Sequence, residues 1–377
     1  MNIAVNTRLL LKGKLEGIGY FSFEVLRRMV LSMPEHTFYF IFDRPYDSDF
    51  IFGKNVIPIV VPPPTRHPIL WYIWFEWSVA RILKKLKPDV FLSMDNYCTL
   101  NTKIRTVLVQ HDISFVHYPK EVPRLVHAYY KFFIPKFLKK ADRIITVSEF
   151  CKRDILSAYK NISPKKITVA FNGWREAFKP ISDSEKENTR KTYTNGAPYF
   201  IYVGSINPRK NIDTLIKAFD MFKTNVSSEV KLVLVGRVAW QKEKVMSAYK
   251  TSKFKSDIIF MGYVESSLLP ALLGSALALT YISLFEGFGV PIIEAMSCEV
   301  PVITSNCTAM PEIANNAALL VNPTDIDDVA NALQNIYADV DLRNQLIAKG
   351  KIRKNNFSWD TTAEIIQKII LDNYATF

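Results

Sequence analysis

Residues 199–236 read YFIYVGSINPRKNIDTLIKAFDMFKTNVSSEVKLVLVG. An apolar run ends on Gly204, an amphipathic stretch follows, and a second apolar run, KLVLV, ends on Gly236. Apolar runs of this length read as strands buried on both faces, while DTLIKAFDMFKTN repeats its apolar residues at helical spacing. Strand, helix and strand in that order form the unit of a parallel sheet covered by helices.

The alternation extends in both directions. NIAVNT, FYFIFD, VIPIVV, VFLSM, RTVLVQ, RIITVS and KITVAF precede this stretch, and IIFMGY, ALALTYI, PVITSN and ALLV follow it. The fold class is therefore α/β. Between Phe171 and Pro198 the chain turns polar, with SDSEKENTRKTYTNG at its centre, before the strands resume. That stretch is the expected boundary between two doubly wound halves, each able to place ligand-binding loops at its strand C-termini.

A chain of 377 residues is long enough for two such domains, and 49% hydrophobic with 22% charged residues excludes wholesale disorder and coiled coil. The four cysteines, at 98, 151, 298 and 307, have no CxxC spacing, so neither a disulfide framework nor a thiolate metal site is expected. MNIAVNTRLL lacks the basic and apolar regions of a secretory signal, and cytoplasm is the expected compartment. The uncharged run from Ser266 to Phe285 nears membrane-span length, but Pro270, Gly274 and several Ser break it into an expected helix and strand. A net charge of +12 points to an anionic partner: nucleic acid, a phosphorylated small molecule or an acidic lipid surface. Nucleic acid is not expected, because no recognition helix or RNA-binding aromatic signature accompanies the charge.

Thirteen glycines are few for this length, so their places carry information. Gly17 and Gly19 are expected in the loop after the first strand. Gly204 and Gly236 end strands, Gly262 follows IIFM, and Gly287 and Gly289 flank Phe288. Glycine at a strand-to-helix turn lets backbone amides approach a phosphate, although plain turn geometry explains many such positions. The stretch Glu286-Gly-Phe-Gly-Val-Pro-Ile-Ile-Glu294 sets one carboxylate in a glycine-rich loop and another about one turn into the next helix. Such carboxylates accept hydrogen bonds from vicinal sugar hydroxyls, and the amides between them suit a diphosphate. Alternatively, Glu286 caps a helix and Glu294 lies on a solvated face. Gly204-Ser-Ile-Asn-Pro-Arg-Lys-Asn211 puts Arg209 and Lys210 after a strand, where two cations can neutralise a departing diphosphate.

These residues resemble the retaining nucleotide-sugar glycosyltransferases of the GT-B fold, family 4. Further landmarks are VQHDISF at 109–115, ADRIITVSEFCKRDI at 141–155, NGW at 172–174, GYVESSLLPALLGSA at 262–276 and TSNCTAMPEIANNAALLVNP at 304–323. The resemblance implies an acceptor-side domain over 1–175, a donor-binding domain over 176–356, and a final segment, 357–377, whose helix FSWDTTAEIIQKIILDNY packs back on the first domain. Glu286, Arg209, Lys210 and His111 are the implied catalytic residues. Gly17, Gly19, Gly204, Ser205, Val264, Gly287, Phe288, Gly289, Val290 and Glu294 are the implied donor contacts. Glu286 would meet the transferred sugar and Glu294 the ribose. Ser205 departs from the Arg that many members carry after this glycine. The pattern G-[ST]-x-x-P-R-K-N looks like the mannosyltransferases of O-antigen and capsule assembly, which implies GDP-mannose as donor and a glycan or lipid-linked glycan as acceptor. A UDP- or ADP-sugar transferase and a sugar-nucleotide epimerase are the alternatives. No cofactor or metal is expected: Asp47-Ser48-Asp49 spells a metal-binding carboxylate pair but reads as a polar loop far from the donor motifs.

Two stretches bear on the acceptor. Trp71–Trp77 holds five aromatics in seven residues, and HAYYKFFIPKFLKKADR interleaves Lys131, Lys136, Lys139 and Lys140 with aromatics. Both suit an anionic membrane interface, which would make the protein peripheral on the inner face of the membrane, and both suit ordinary core packing.

Overall fold

The computed structural model describes residues 1–237 and 243–372. They form two compact units, Met1–Asn172 joined by the segment from Ser358 onward, and Gly173–Phe357. The first unit holds β1 (Asn2–Asn6), β2 (Thr37–Phe42), β3 (Val56–Val60), β4 (Val90–Ser93), β5 (Thr106–Val109), β6 (Arg143–Thr146) and β7 (Ile167–Val169) in one parallel sheet of order β3-β2-β1-β4-β5-β6-β7. The second holds β8 (Tyr199–Val203), β9 (Lys231–Val235), β10 (Ile258–Gly262), β11 (Ala278–Tyr281), β12 (Val302–Ser305) and β13 (Leu319–Val321), in the order β10-β9-β8-β11-β12-β13. Every apolar run read as a strand is one.

In both sheets the order reverses beside the first strand, between β1 and β4 and between β8 and β11. Strands that diverge there leave a crevice at their C-terminal ends, the usual ligand position of an open α/β sheet. All five residues of β8 are buried, because helices cover both faces of a parallel sheet.

One expectation is corrected. Gly17 and Gly19 do not lie in a loop: they open the helix Gly17–Ser32. The polar stretch around residue 188 is itself a helix, Asp183–Thr194, started by a capping box in which Ser182 and Glu185 satisfy each other's backbone amides. A helix with almost no apolar stripe escapes a hydrophobic reading, yet its S-x-x-E start was present. Tryptophan and phenylalanine at 71–77 divide by depth. Trp74 and Phe75 are fully buried, Trp71 stacks on Tyr130, and only Tyr72 and Trp77 are exposed.

The last helix, Trp359–Leu371, belongs to the first unit. Trp359 sets its ring edge-on to Phe21, Asp360 pairs with Arg28 at 2.5 Å, and Arg105 donates to the carbonyls of Ile369 and Ile370. Asn373 and Tyr374 of the expected helix lie outside the described residues.

Candidate active site

The crevice of the second sheet is built from the loops after β8, β11 and β12. After β8 the chain makes a tight turn at Pro208–Lys210, then Asn211 takes a left-handed conformation (φ 61°) and the helix Ile212–Asn225 begins. Asn211 Nδ2 donates to the carbonyls of Ile282 and Pro323, at 3.2 and 2.6 Å, and Leu284 N donates to Arg209 O at 2.8 Å. These bonds stitch the loops together. Close approach at their base needs glycine: a Cβ on Gly236 would stand 1.8 Å from Gly204 O.

The stitching brings Lys210 and Glu286 into contact. Lys210 Nζ lies 2.5 Å from Glu286 Oε1 and donates to the Tyr281 hydroxyl at 3.1 Å, while Arg209 Nη1 sits 3.8 Å from Glu286 Oε2 and donates to Phe285 O at 2.8 Å. From the loop after β12, Thr308 Oγ1 accepts from Glu286 N at 3.2 Å. Lys210 and Glu286 are buried. Burial alone would favour the neutral acid, but the Lys210 and Arg209 charges outweigh it and hold Glu286 below the usual carboxylate range. Two cations on one carboxylate leave the crevice positive.

Gly289 (φ 101°) precedes the helix Val290–Ser297, whose second turn carries Glu294. Glu294 is buried, and its Oε1 accepts from Arg175 Nε at 2.6 Å. Here burial outweighs the attraction of Arg175, so the carboxyl is raised above its ordinary value. The alternative that placed Glu286 at a helix cap and Glu294 on a solvated face does not hold, since both are buried and paired with cations.

Residues 183–353 match the model of the glycosyl transferases group 1, and residues 30–175 match that of Glycosyltransferase Family 4. The O-antigen chain mannosyltransferase B of Escherichia coli is 30% identical over 257 residues, 68% of this chain and 67% of that protein. The O-antigen chain mannosyltransferase RfbU of Salmonella typhimurium is 31% identical over 283 residues, 75% of this chain and 74% of the relative. This chain is a family 4, group 1 glycosyltransferase. Among solved structures, a sucrose-phosphate synthase from Thermosynechococcus elongatus superposes over 100% of both chains with a TM-score of 0.79 at 18% identity. Two doubly wound units and a last helix that returns to the first give the glycosyltransferase its GT-B fold.

Of the residues singled out from sequence, Glu286, Arg209, Lys210, Gly204, Ser205, Gly287, Phe288, Gly289, Val290 and Glu294 lie on the loops and helix starts at the second unit's crevice. Val264 is half-buried in the loop after β10. His111, Gly17 and Gly19 belong to the first unit. His111 is buried, and burial lowers its pKa, so the imidazole is neutral. Its Nε2 lies 2.9 Å from Met94 O, an acceptor, which assigns the ring proton to Nε2 and leaves Nδ1 an acceptor. In the Asp47-Ser48-Asp49 turn, Lys12 Nζ lies 3.0 Å from each carboxylate. Sequence reading missed Arg175, Tyr281, Asn211 and Thr308 of this glycosyltransferase's crevice. Arg175 directly follows the NGW landmark and Thr308 lies inside the 304–323 one, but neither offered a charge pattern that would single it out.

Proposed function

We propose that this glycosyltransferase moves mannose from GDP-mannose, with retention, onto a glycan or lipid-linked oligosaccharide in surface polysaccharide assembly. The observation that carries the reading is the Lys210–Glu286 contact with Arg209 beside it, at the crevice between β8 and β11. Glu286 accepts from hydroxyls of the transferred sugar. Arg209 and Lys210 meet the negative charge that grows on the departing diphosphate, where fixed cations in a water-poor site act most strongly. Backbone amides at the start of the Val290–Ser297 helix add to that stabilisation, and Glu294 takes the ribose diol. Deprotonation of the acceptor is assigned to the leaving phosphate on the same face, and neutral His111 is assigned to the transferred sugar. Mannose as the sugar is supported by the two relatives, both mannosyltransferases. Because the charge of the leaving group is met by side chains, transfer is expected to persist in EDTA.

A lipid-linked acceptor is supported by the helix Arg124–Lys140. Its inner side buries Tyr129, Ile134, Phe137 and Leu138, whereas Leu125 and Phe132 are exposed by 50% and 56% among exposed Lys131, Lys136 and Lys139. Apolar side chains set among cations on a solvated face match an anionic lipid surface. Lys136 Nζ stands 3.3 Å over the Phe132 ring.

The test supplies labelled GDP-mannose, UDP-glucose or ADP-glucose with lipid extracts, and determines the anomeric configuration of the product. Transfer of mannose to a lipid-soluble product with the donor's configuration is expected. Transfer from a UDP- or ADP-sugar alone, an inverted product, or sugar interconversion without an acceptor would overturn the reading.

A further inference from the structure

Arg175 has no role in the proposed function, yet it pairs directly with Glu294, the carboxylate assigned to the ribose. It is the third residue of the second unit, in the coil between β7 and the Asp183–Thr194 helix. Its guanidinium lies 4.4 Å over the Phe178 ring, which fixes the direction of the fork, and its Nε donates to Glu294 Oε1 at 2.6 Å. The side chains are 18% and 3% exposed. A carboxyl this buried tends to take up a proton, and as the neutral acid it becomes a donor on one oxygen in place of an acceptor on both.

On the elements packed against the Val290–Ser297 helix, Lys351, Arg353, Lys354 and Tyr281 have other partners. Lys351 pairs with Glu299 at 2.9 Å, Arg353 donates to the carbonyls of Ile313 and Glu312, and Lys354 sits 4.9 Å over the Trp174 ring. Tyr281 receives the Lys210 ammonium. Cys298, one turn beyond Glu294, is pushed up to about 12 by burial and stays a neutral thiol. Arg175 is thus the cation that faces this carboxylate.

We propose that Arg175 is a positioning residue for the nucleotide: it keeps Glu294 ionised and turned so that the carboxylate accepts from the two ribose hydroxyls of the donor. The inference rests on the reading of Glu294 given above. It departs from a purely structural ion pair in what it requires of the ligand, since the effect of Arg175 must pass through the ribose diol and must depend on pH.

The experiment titrates the full chain with GDP and with 2′-deoxy-GDP, from pH 6 to pH 8.5, in wild type, Arg175→Gln, Arg175→Lys, Glu294→Gln and the double variant. Wild type is expected to prefer GDP at all pH values. Arg175→Gln should weaken GDP about 10-fold or more, with the loss largest at low pH, where the unpaired carboxyl is protonated, and with little effect on 2′-deoxy-GDP. Donor KM should rise by a similar factor while kcat changes little. Arg175→Lys should recover much of the loss, and adding Arg175→Gln to Glu294→Gln should cost no further affinity. Equal GDP affinity in wild type and Arg175→Gln across the pH range, or equal losses for GDP and 2′-deoxy-GDP, would overturn the inference with the donor-site reading intact. If Arg175→Gln does not fold, the wild-type and Arg175→Lys pH profiles decide: a Lys variant with wild-type affinity and no preference for the diol overturns it. Failure of wild type to bind GDP would sink the donor reading instead.

Discussion

The two units share a strand order over six strands and each places a buried cation–carboxylate pair at its crevice, but the pairs are finished differently. In the first unit Arg8, just after β1, donates to Asp95, just after β4. Asn6 Nδ2 donates to the other Asp95 oxygen at 2.6 Å, Arg8 Nη1 donates to Thr65 Oγ1 at 3.2 Å, and the guanidinium packs 4.5 Å from the Tyr97 ring and 5.4 Å from Phe75. One cation meets one carboxylate, and rings and amides close around both. In the second unit, Lys210 and Arg209 share Glu286. The carboxyls respond in opposite directions. Burial raises Asp95 despite Arg8, whereas two cations lower Glu286 despite burial. The same topology therefore builds one cation on one carboxylate in the first unit and two cations on one carboxylate in the second.

The sealed pair should give the largest effect. Arg8→Ala leaves Asp95 buried without its cation, and breaking such a pair costs about 3–5 kcal/mol, or a fall in melting temperature of roughly 10 °C. Nucleotide affinity of the folded fraction should be unchanged. A variant that melts like wild type but binds GDP poorly would break the comparison.

In the open pair the loss should fall on chemistry. Lys210→Ala should reduce transfer about 100-fold, near 2.7 kcal/mol in transition-state binding, while Glu286 keeps Arg209 and the melting point moves less than in Arg8→Ala. Wild-type turnover in this variant would end the assignment. The pH dependence sharpens it. With its pKa depressed, Glu286 is ionised from neutrality down through the usual carboxylate range, and its contribution is lost only as pH falls through the lower, folded value. Removing one cation must move the acid limb of kcat/KM upward in Lys210→Ala. An unmoved limb would show that another group sets it.

The smallest effect concerns the basic helix of the first unit. Lys131→Gln or Lys136→Gln, taken singly, should weaken sedimentation with anionic vesicles by about 1 kcal/mol, roughly fivefold, and the wild-type affinity should fall as salt contracts the Debye length from about 10 Å at 0.1 M to about 3 Å at 1 M. GDP affinity in the other unit should not respond. Vesicle binding indifferent to salt and to both substitutions would reduce the lysines to a solvated face.

The strands were legible because short apolar runs recur between amphipathic stretches, most clearly where burial on both faces is complete, as in β4, β5 and β8, and Gly204 and Glu286 could be placed from the strands before them. Reading was harder where a residue's meaning comes from across the fold. Arg8 and Asp95 stand 87 residues apart in sequence, and Arg175 and Glu294 119 apart. Nothing local distinguishes Arg175 from a solvated arginine, and nothing local shows that Thr308 would reach the Glu286 amide. The Asp183–Thr194 helix was hidden for the opposite reason: it has caps but little apolar face to reveal its period.

The central claim, that the charge surplus between β8 and β11 is a GDP-mannose site, is tested most directly by thermal unfolding of the whole chain with GDP-mannose, UDP-glucose or ADP-glucose. At about 100 times its dissociation constant a ligand stabilises by about 2.7 kcal/mol. GDP-mannose should raise the melting temperature of wild type and leave that of Lys210→Ala nearly unmoved at the same concentration. A wild-type shift with UDP- or ADP-sugars but not GDP-mannose, or an undiminished GDP-mannose shift in Lys210→Ala, would contradict it.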